Sequence, residues 1–317
     1  MRALKWSSIL FVLGWLSLAV STSSVQAEAP PLKLAKGNHV VLIGNTLAER
    51  MQYYGNFETQ LHSRFPDLEL VVRDLGWSAD EVNLRPRSQD FKDHGHNLED
   101  HKADVILAFF GFNESFGGEK GLPKFRGDLE NFVKTTKAAK YNGTSAPQLV
   151  LFSPIAHENL GKRELPDGSA SNKNIELYSA AMKEIAAKHD VLFVDIYTPT
   201  HKAMAEAKQK WTINGIHLNN HGDAELAKIL DTSLFGARPA GSEKVNLQKL
   251  LAEVQEKNLQ FFYDYRAVNG FYIYGGRKNP FGTVNFPAEF AKLRKMIANR
   301  DSRIWAVAQG KRSSNQN

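Results

Sequence analysis

The sequence predicts a three-layer α/β fold on a five-stranded parallel sheet, and three observations lead there. Five short runs rich in Val, Ile, Leu and Phe recur between residues 39 and 195. Amphipathic stretches at helical spacing separate them. Polar segments bearing a glycine follow the first three runs, at the points where strands of such a sheet would end. Near-continuous apolar runs suit strands buried on both faces, and strand–helix alternation suits helices on either side of a parallel sheet.

The runs are residues 39–43 (His-Val-Val-Leu-Ile), 68–72, 103–110, 148–152 and 191–195. Phe125, Leu129, Phe132 and Val133 recur at helical spacing, as do Leu177, Ala181 and Ile185; Leu226, Ile229 and Leu230 mark a later helix. Asp128 and Glu130 place acidic groups near the start of the first of these, where the helix dipole favours them. Right-handed crossovers then put the ligand site at the carboxyl ends of the strands. This alternation spans residues 36–236. A second region, residues 237–310, opens on Ala237-Arg238-Pro239 and reads as a helix over 245–265. An aromatic stretch follows (Phe271, Tyr272, Ile273, Tyr274), then a helix over 287–299. This extension is expected to pack on the main domain, and the polar tail 311–317 to be disordered.

Residues 1–27 read as an export leader. Arg2 and Lys5 precede an apolar run over 6–20, and Val25-Gln26-Ala27 offers small residues for cleavage before Glu28. An uncleaved membrane anchor is the alternative. The expected location is therefore periplasmic or extracellular. There is no cysteine, so an exported chain of this kind must be held by its core rather than by disulfides. The formal net charge is +6, but Lys and Arg are interspersed with Asp and Glu. A nucleic-acid partner would call for a one-sign stripe, which is absent.

Four segments carry candidate chemistry. Gly44-Asn45-Thr46 puts a hydroxyl just past the first strand; it reads as a nucleophile or as a helix-capping threonine. Gly76 can bring a backbone N–H close to a ligand, and Trp77 beside it walls a pocket or covers the core. Asn113, in Gly111-Phe112-Asn113-Glu114, can add a side-chain N–H, with Glu114 on the same rim. His217 suits general-base work near neutral pH, with Asn214 three residues earlier to orient it. His157 and Glu158, after the fourth strand, are the rival base. His94, His96 and His101, with Asp93, Glu99 and Asp100, match no defensible ligand spacing, and no metal is assigned.

Order and spacing of these blocks resemble the SGNH hydrolases, the GDSL esterase/lipase family, over most of the chain beyond the leader. Gly44-Asn45-Thr46 stands where that family has Gly-Asp-Ser. Gly76 matches the glycine of the second block, and Gly111, Asn113 and Glu114 match Gly-x-Asn-Asp. Asn214 and His217 match Asp-x-x-His. The Gly-Asn-Thr variant also looks like a subgroup of exported bacterial proteins. The resemblance implies a flavodoxin-like sheet and an ester hydrolase. Its site would have Thr46, His217 and Asn214 as the catalytic set and the N–H groups of Thr46, Gly76 and Asn113 as oxyanion donors. Asn45, Trp77, Glu114 and His157 are the expected substrate contacts. The implied partner is a small-molecule or glycan ester, with no cofactor, no nucleic acid and, after leader removal, no membrane. The two departures weigh on rate. Threonine crowds the attack, and Asp-to-Asn exchange in a serine-protease triad costs about 10⁴-fold in turnover, or about 5.5 kcal/mol. A degenerate module that binds acylated glycan without turnover is the alternative.

Overall fold

The computed structural model describes residues 32–85, 96–238, 245–266, 270–273 and 275–311. The leader and the tail beyond Lys311 lie outside the described residues. The elements run β1 (His39–Gly44), α1 (Thr46–Tyr54), α2 (Asn56–Arg64), β2 (Val71–Asp74), β3 (Val105–Phe109) and α3 (Gly118–Ala138). They continue with β4 (Gln148–Phe152), α4 (Ser169–Lys188), β5 (Leu192–Val194), α5 (Tyr197–Glu206) and α6 (Asn220–Phe235). The C-terminal helices are α7 (Leu247–Tyr265), α8 (Gly270–Ile273) and α9 (Phe286–Ala308). The sheet is wholly parallel, in the order β2-β1-β3-β4-β5. The order reverses between β1 and β3, and a ligand crevice opens at such a switch point.

Successive residues of each strand point to opposite faces, so each strand feeds two cores. Val40 and Leu42 of β1 join Leu107, Phe109, Val150 and Phe152 against α1, α2, α5 and α6. Val41 and Ile43 join Ile106, Ala108, Leu149 and Leu151 against α3 and α4. Strand burial on both faces explains why the runs carry so few polar residues.

The second strand starts later than residue 68. Pro66–Leu68 is a 3-10 turn and Glu69 is left-handed at φ 48°, so the chain enters the sheet only at Val71. The final helix runs nine residues past the expected end, to Ala308. Its polar stretch Arg300-Asp301-Ser302-Arg303 reads as a terminus, yet Asp301 is buried against Arg73 at 3.0 Å.

The C-terminal helices cover the open edge of the sheet at β2. Their side chains satisfy carbonyls of the β2 segment: Lys257 Nζ donates to Val72 O (3.1 Å), Trp305 Nε1 to Leu70 O (2.8 Å) and Tyr265 OH to Leu75 O (2.7 Å). An uncovered edge strand is a template for pairing with other chains. Among the described residues, no helix is long and apolar enough to cross a membrane.

Candidate active site

The site assembles where β1, β3 and β4 end. Gly44 closes β1 at φ 139°, and a Cβ there would lie 2.1 Å from Phe109 O, so only glycine lets the ends of β1 and β3 meet. Asn45 N–H donates to that same carbonyl (3.0 Å), while Asn45 Oδ1 accepts from Leu47 N–H (3.1 Å). Asn45 is therefore the cap of α1. Thr46 is not the capping residue but the first residue of the helix. Its N–H is one of the donors that no helix can satisfy internally.

Across the crevice, Gly111 turns at φ 96° and Asn113 follows. Asn113 Nδ2 donates one hydrogen to Asp80 O (3.1 Å), which leaves its second for a ligand. His217 rides on a tight hairpin in which Thr212 pairs with Leu218 and Ile213 N–H donates to His217 O (2.9 Å). Thr46, Asn113 and His217 line one pocket of about 600 Å³ including its mouth, with Asn45 and a largely aromatic and aliphatic wall. Among the described residues, no hydrogen bond joins the Thr46 hydroxyl to the His217 ring.

The Asn214–His217 contact is the reverse of a carboxylate–imidazole pair. Asn214 Oδ1 accepts from the backbone N–H groups of His217 (3.0 Å) and Ile216 (3.4 Å). The amide nitrogen must then face the ring, and Asn214 Nδ2 donates to His217 Nδ1 at 3.1 Å. Nδ1 is thus the acceptor and the neutral ring carries its proton on Nε2. Burial, then the Arg50 charge, pushes the His217 pKa below the ordinary 6.5, against an upward pull from Glu49.

Four expected contacts lie elsewhere. Gly76 does not offer its N–H to the pocket: it donates to Asp74 Oδ1 (2.8 Å). A Cβ on Gly76 would sit 2.5 Å from Glu49 N, so this glycine serves the close approach of the β2 end to α1. Trp77 covers the core. The Arg266 guanidinium lies over its ring at 3.3 Å and Tyr265 meets it edge-on. Glu114 gives both oxygens to backbone, accepting from Val82 N–H and Gly111 N–H at 2.9 Å each. It ties two loops together rather than facing substrate.

His157 is buried on the far side of the 211–218 hairpin, in a separate polar cleft, and its ring packs under Gly215. The histidine cluster lies only in part among the described residues. His96 Nδ1 meets His101 Nε2 at 3.1 Å and His96 Nε2 lies 3.3 Å from Asp264, while His94 and Asp93 are outside the described residues.

Two features were not read from the sequence, the first being the role of Glu158, singled out there only as part of a rival base. Glu158, 2% exposed, accepts from Trp211 N–H, Thr212 N–H (2.8 Å) and Thr212 Oγ1 (2.7 Å), and so locks the hairpin that carries His217. Ala79 is left-handed at φ 65° on the turn whose next carbonyl holds Asn113. Among the described residues, the N–H groups of Ser78 and Ala79 make no hydrogen bond, but both residues are exposed and neither lines the Thr46 pocket. An alanine in a conformation that favours glycine is a structural signal without a counterpart in the letters of the sequence.

Residues 43–224, more than half of the chain, match the model of the GDSL-like lipase/acylhydrolase family. Solved structures of similar fold include a catalytic mutant of an acetylxylan esterase from Geobacillus stearothermophilus. It is 16% identical, with a TM-score of 0.51, over 66% of this chain and 100% of that one. Another is a gut microbial diltiazem-metabolizing enzyme, 15% identical with a TM-score of 0.52, over 65% of this chain. The match spans about half (48%) of that enzyme's length. At these identities the likeness is one of fold. A comparison with curated protein sequences gave no match.

Proposed function

The chain belongs to the GDSL-like lipase/acylhydrolase family, and from that premise we propose that it hydrolyses carboxylic esters through Thr46. The observation that supports this reading is the convergence of Thr46, Asn113 and His217 on one pocket at the strand ends. Thr46 Oγ1 attacks the ester carbonyl carbon and its proton passes to His217. The developing oxyanion is met by the N–H group of Thr46 and the free hydrogen of Asn113 Nδ2. Collapse breaks the ester C–O bond, and the alcohol leaves with the proton from His217. Water then attacks the acyl-threonine by the same route and releases the carboxylic acid.

Asn214 makes this chemistry slow. To accept a proton at Nε2, His217 must carry its own on Nδ1, which would set an N–H against the Asn214 NH₂. Relief requires rotating the amide away from two backbone N–H groups, at about 1 kcal/mol for each hydrogen bond lost. The same hydrogen bond favours a second reading, in which Nε2–H, Asn113 and Thr46 hold an acylated ligand without turnover. The acetylxylan esterase among the structural neighbours suggests a glycan as the alcohol. With residues 1–27 as an export leader, that glycan would lie outside the cytoplasm.

Kinetics on a panel of acetylated glycans and short-chain esters test the proposal. Thr46→Ala and His217→Ala are each expected to abolish hydrolysis; an unchanged rate in either removes that residue's role. If the native chain is inert and Thr46→Ser with Asn214→Asp creates activity, the binding reading holds.

A further inference from the structure

We propose that the apolar wall of the Thr46 pocket takes the acyl side of the ester, and that the group it selects is an alkyl or aromatic acyl larger than acetyl. This rests on the hydrolase reading for where the carbonyl sits. Two of the pocket's other side-chain oxygens are already engaged. Asn45 Oδ1 caps α1, and Ser153 Oγ accepts from Ile196 N–H and Tyr197 N–H at 2.9 Å each. Thr46, Asn113, His217 and the Asn45 amide N–H groups remain for the ligand, which is enough for one carbonyl and its leaving oxygen.

The rest of the lining is chiefly hydrocarbon, from Phe112, Phe116, Pro154, Ile155 and Ile216. Sugar hydroxyls would find no partner along that wall and would lose their hydration. The alcohol therefore leaves from the His217 side toward solvent. An acetyl methyl would leave most of that hydrocarbon wall uncovered, the Phe116 ring above all. Phe116 is 69% exposed on the turn after Asn113, and its ring meets Phe112 edge-on at 5.4 Å. A large aromatic left in water at the mouth of a pocket gains by burying itself against a ligand chain. Below, Phe109 stacks on Phe152 with centroids 4.4 Å apart, so the floor is rigid and the adaptable surface is the Phe112–Phe116 pair.

The test uses the full chain in two series. The first measures kcat/KM for 4-nitrophenyl esters from acetyl to octanoyl, then for octanoyl esters of different alcohols. The second measures binding of acetate, hexanoate and octanoate by calorimetry, in the unmodified chain and in Phe116→Ala. The expected result is a gain of about fourfold per added methylene in both series until the pocket is filled. Phe116→Ala should flatten that slope, with about a tenfold loss for octanoate. A preference for acetyl, or octanoate binding no tighter than acetate, overturns the inference even if Thr46-dependent hydrolysis is found. Length-dependent binding that Phe116→Ala weakens, without turnover of any ester, upholds the acyl site and removes the hydrolase reading instead.

Discussion

Asn214 decides which nitrogen of His217 can receive a proton. Its Oδ1 is held by backbone N–H groups, so its NH₂ is the only face left for the ring. An aspartate there would accept from the backbone and from Nδ1–H together, leaving Nε2 bare toward Thr46. Asn214→Asp is therefore expected to raise kcat at least about tenfold, well short of the ~10⁴-fold that a mature triad loses in the opposite exchange; steady-state kinetics read it. The ring's depressed pKa fixes the pH response. His217 must be neutral to act as a base, so activity is present above its pKa and falls as pH drops through it. Burial first, then Arg50, places that acid limb below 6.5, and a pH–rate profile with its midpoint above 6.5 would contradict the assignment. At this scale the sequence was informative about identity and silent about orientation. Thr46, Asn113 and His217 were visible as candidates, but which amide atom faces the ring depends on where the hairpin's N–H groups point.

The elements that carry these residues are each held by a buried group outside the pocket. Glu158 grips the hairpin of His217, and the end of α7 grips the loop after β2. Arg266 donates to Gly76 O (3.1 Å), pairs with Glu49 (2.9 Å) and lies over Trp77; Ser78 Oγ donates to the same Glu49. Through Asp80 O this loop also aims Asn113. Removing the guanidinium should loosen the donor set more than the pocket walls. Arg266→Met is expected to lower kcat about tenfold, or ~1.4 kcal/mol, with a smaller change in KM. Arg266→Lys should not restore it, since a point charge cannot reproduce a planar fork. Equal loss in kcat and KM, or full rescue by lysine, would count against the role. Strand order and helix faces were readable here because burial on two faces leaves a compositional mark. The function of Gly76 was not, because a glycine needed for close approach to α1 and one that offers its N–H to a ligand are the same letter.

Across the whole molecule, the C-terminal helices are a covering for the β2 edge, fastened by charges that the core buries. Lys257 is fully buried and meets Glu58 at 2.8 Å, Val72 O at 3.1 Å and Asn258 Oδ1 at 2.7 Å. Burial alone would raise the Glu58 carboxyl; Lys257 and then His62 more than offset it and hold its pKa at about 2. A carboxylate depressed from its usual 4.5 adds stability that is present above that value and lost as pH falls toward 2. Lys257→Ala leaves Glu58 buried with only His62 beside it among the described residues, and is expected to cost about 3 kcal/mol in denaturant unfolding at neutral pH. A loss under about 1 kcal/mol would show that the pair does not fasten the extension. The helices of this region were partly legible from their periodicity. Their place against β2 was not, because Arg73, Lys257 and Asp301 look like surface residues until their partners are known.

The central claim is also one of the whole chain: segments distant in sequence bring a hydroxyl, an imidazole and a set of donors to one reacting carbon. Labelling with an alkyl fluorophosphonate, followed by peptide mapping, tests it most directly. A single adduct on Thr46, absent in Thr46→Ala and much slowed in His217→Ala, is the expected result. Ester hydrolysis that continues undiminished in Thr46→Ala, with the label on another residue or on none, would contradict it.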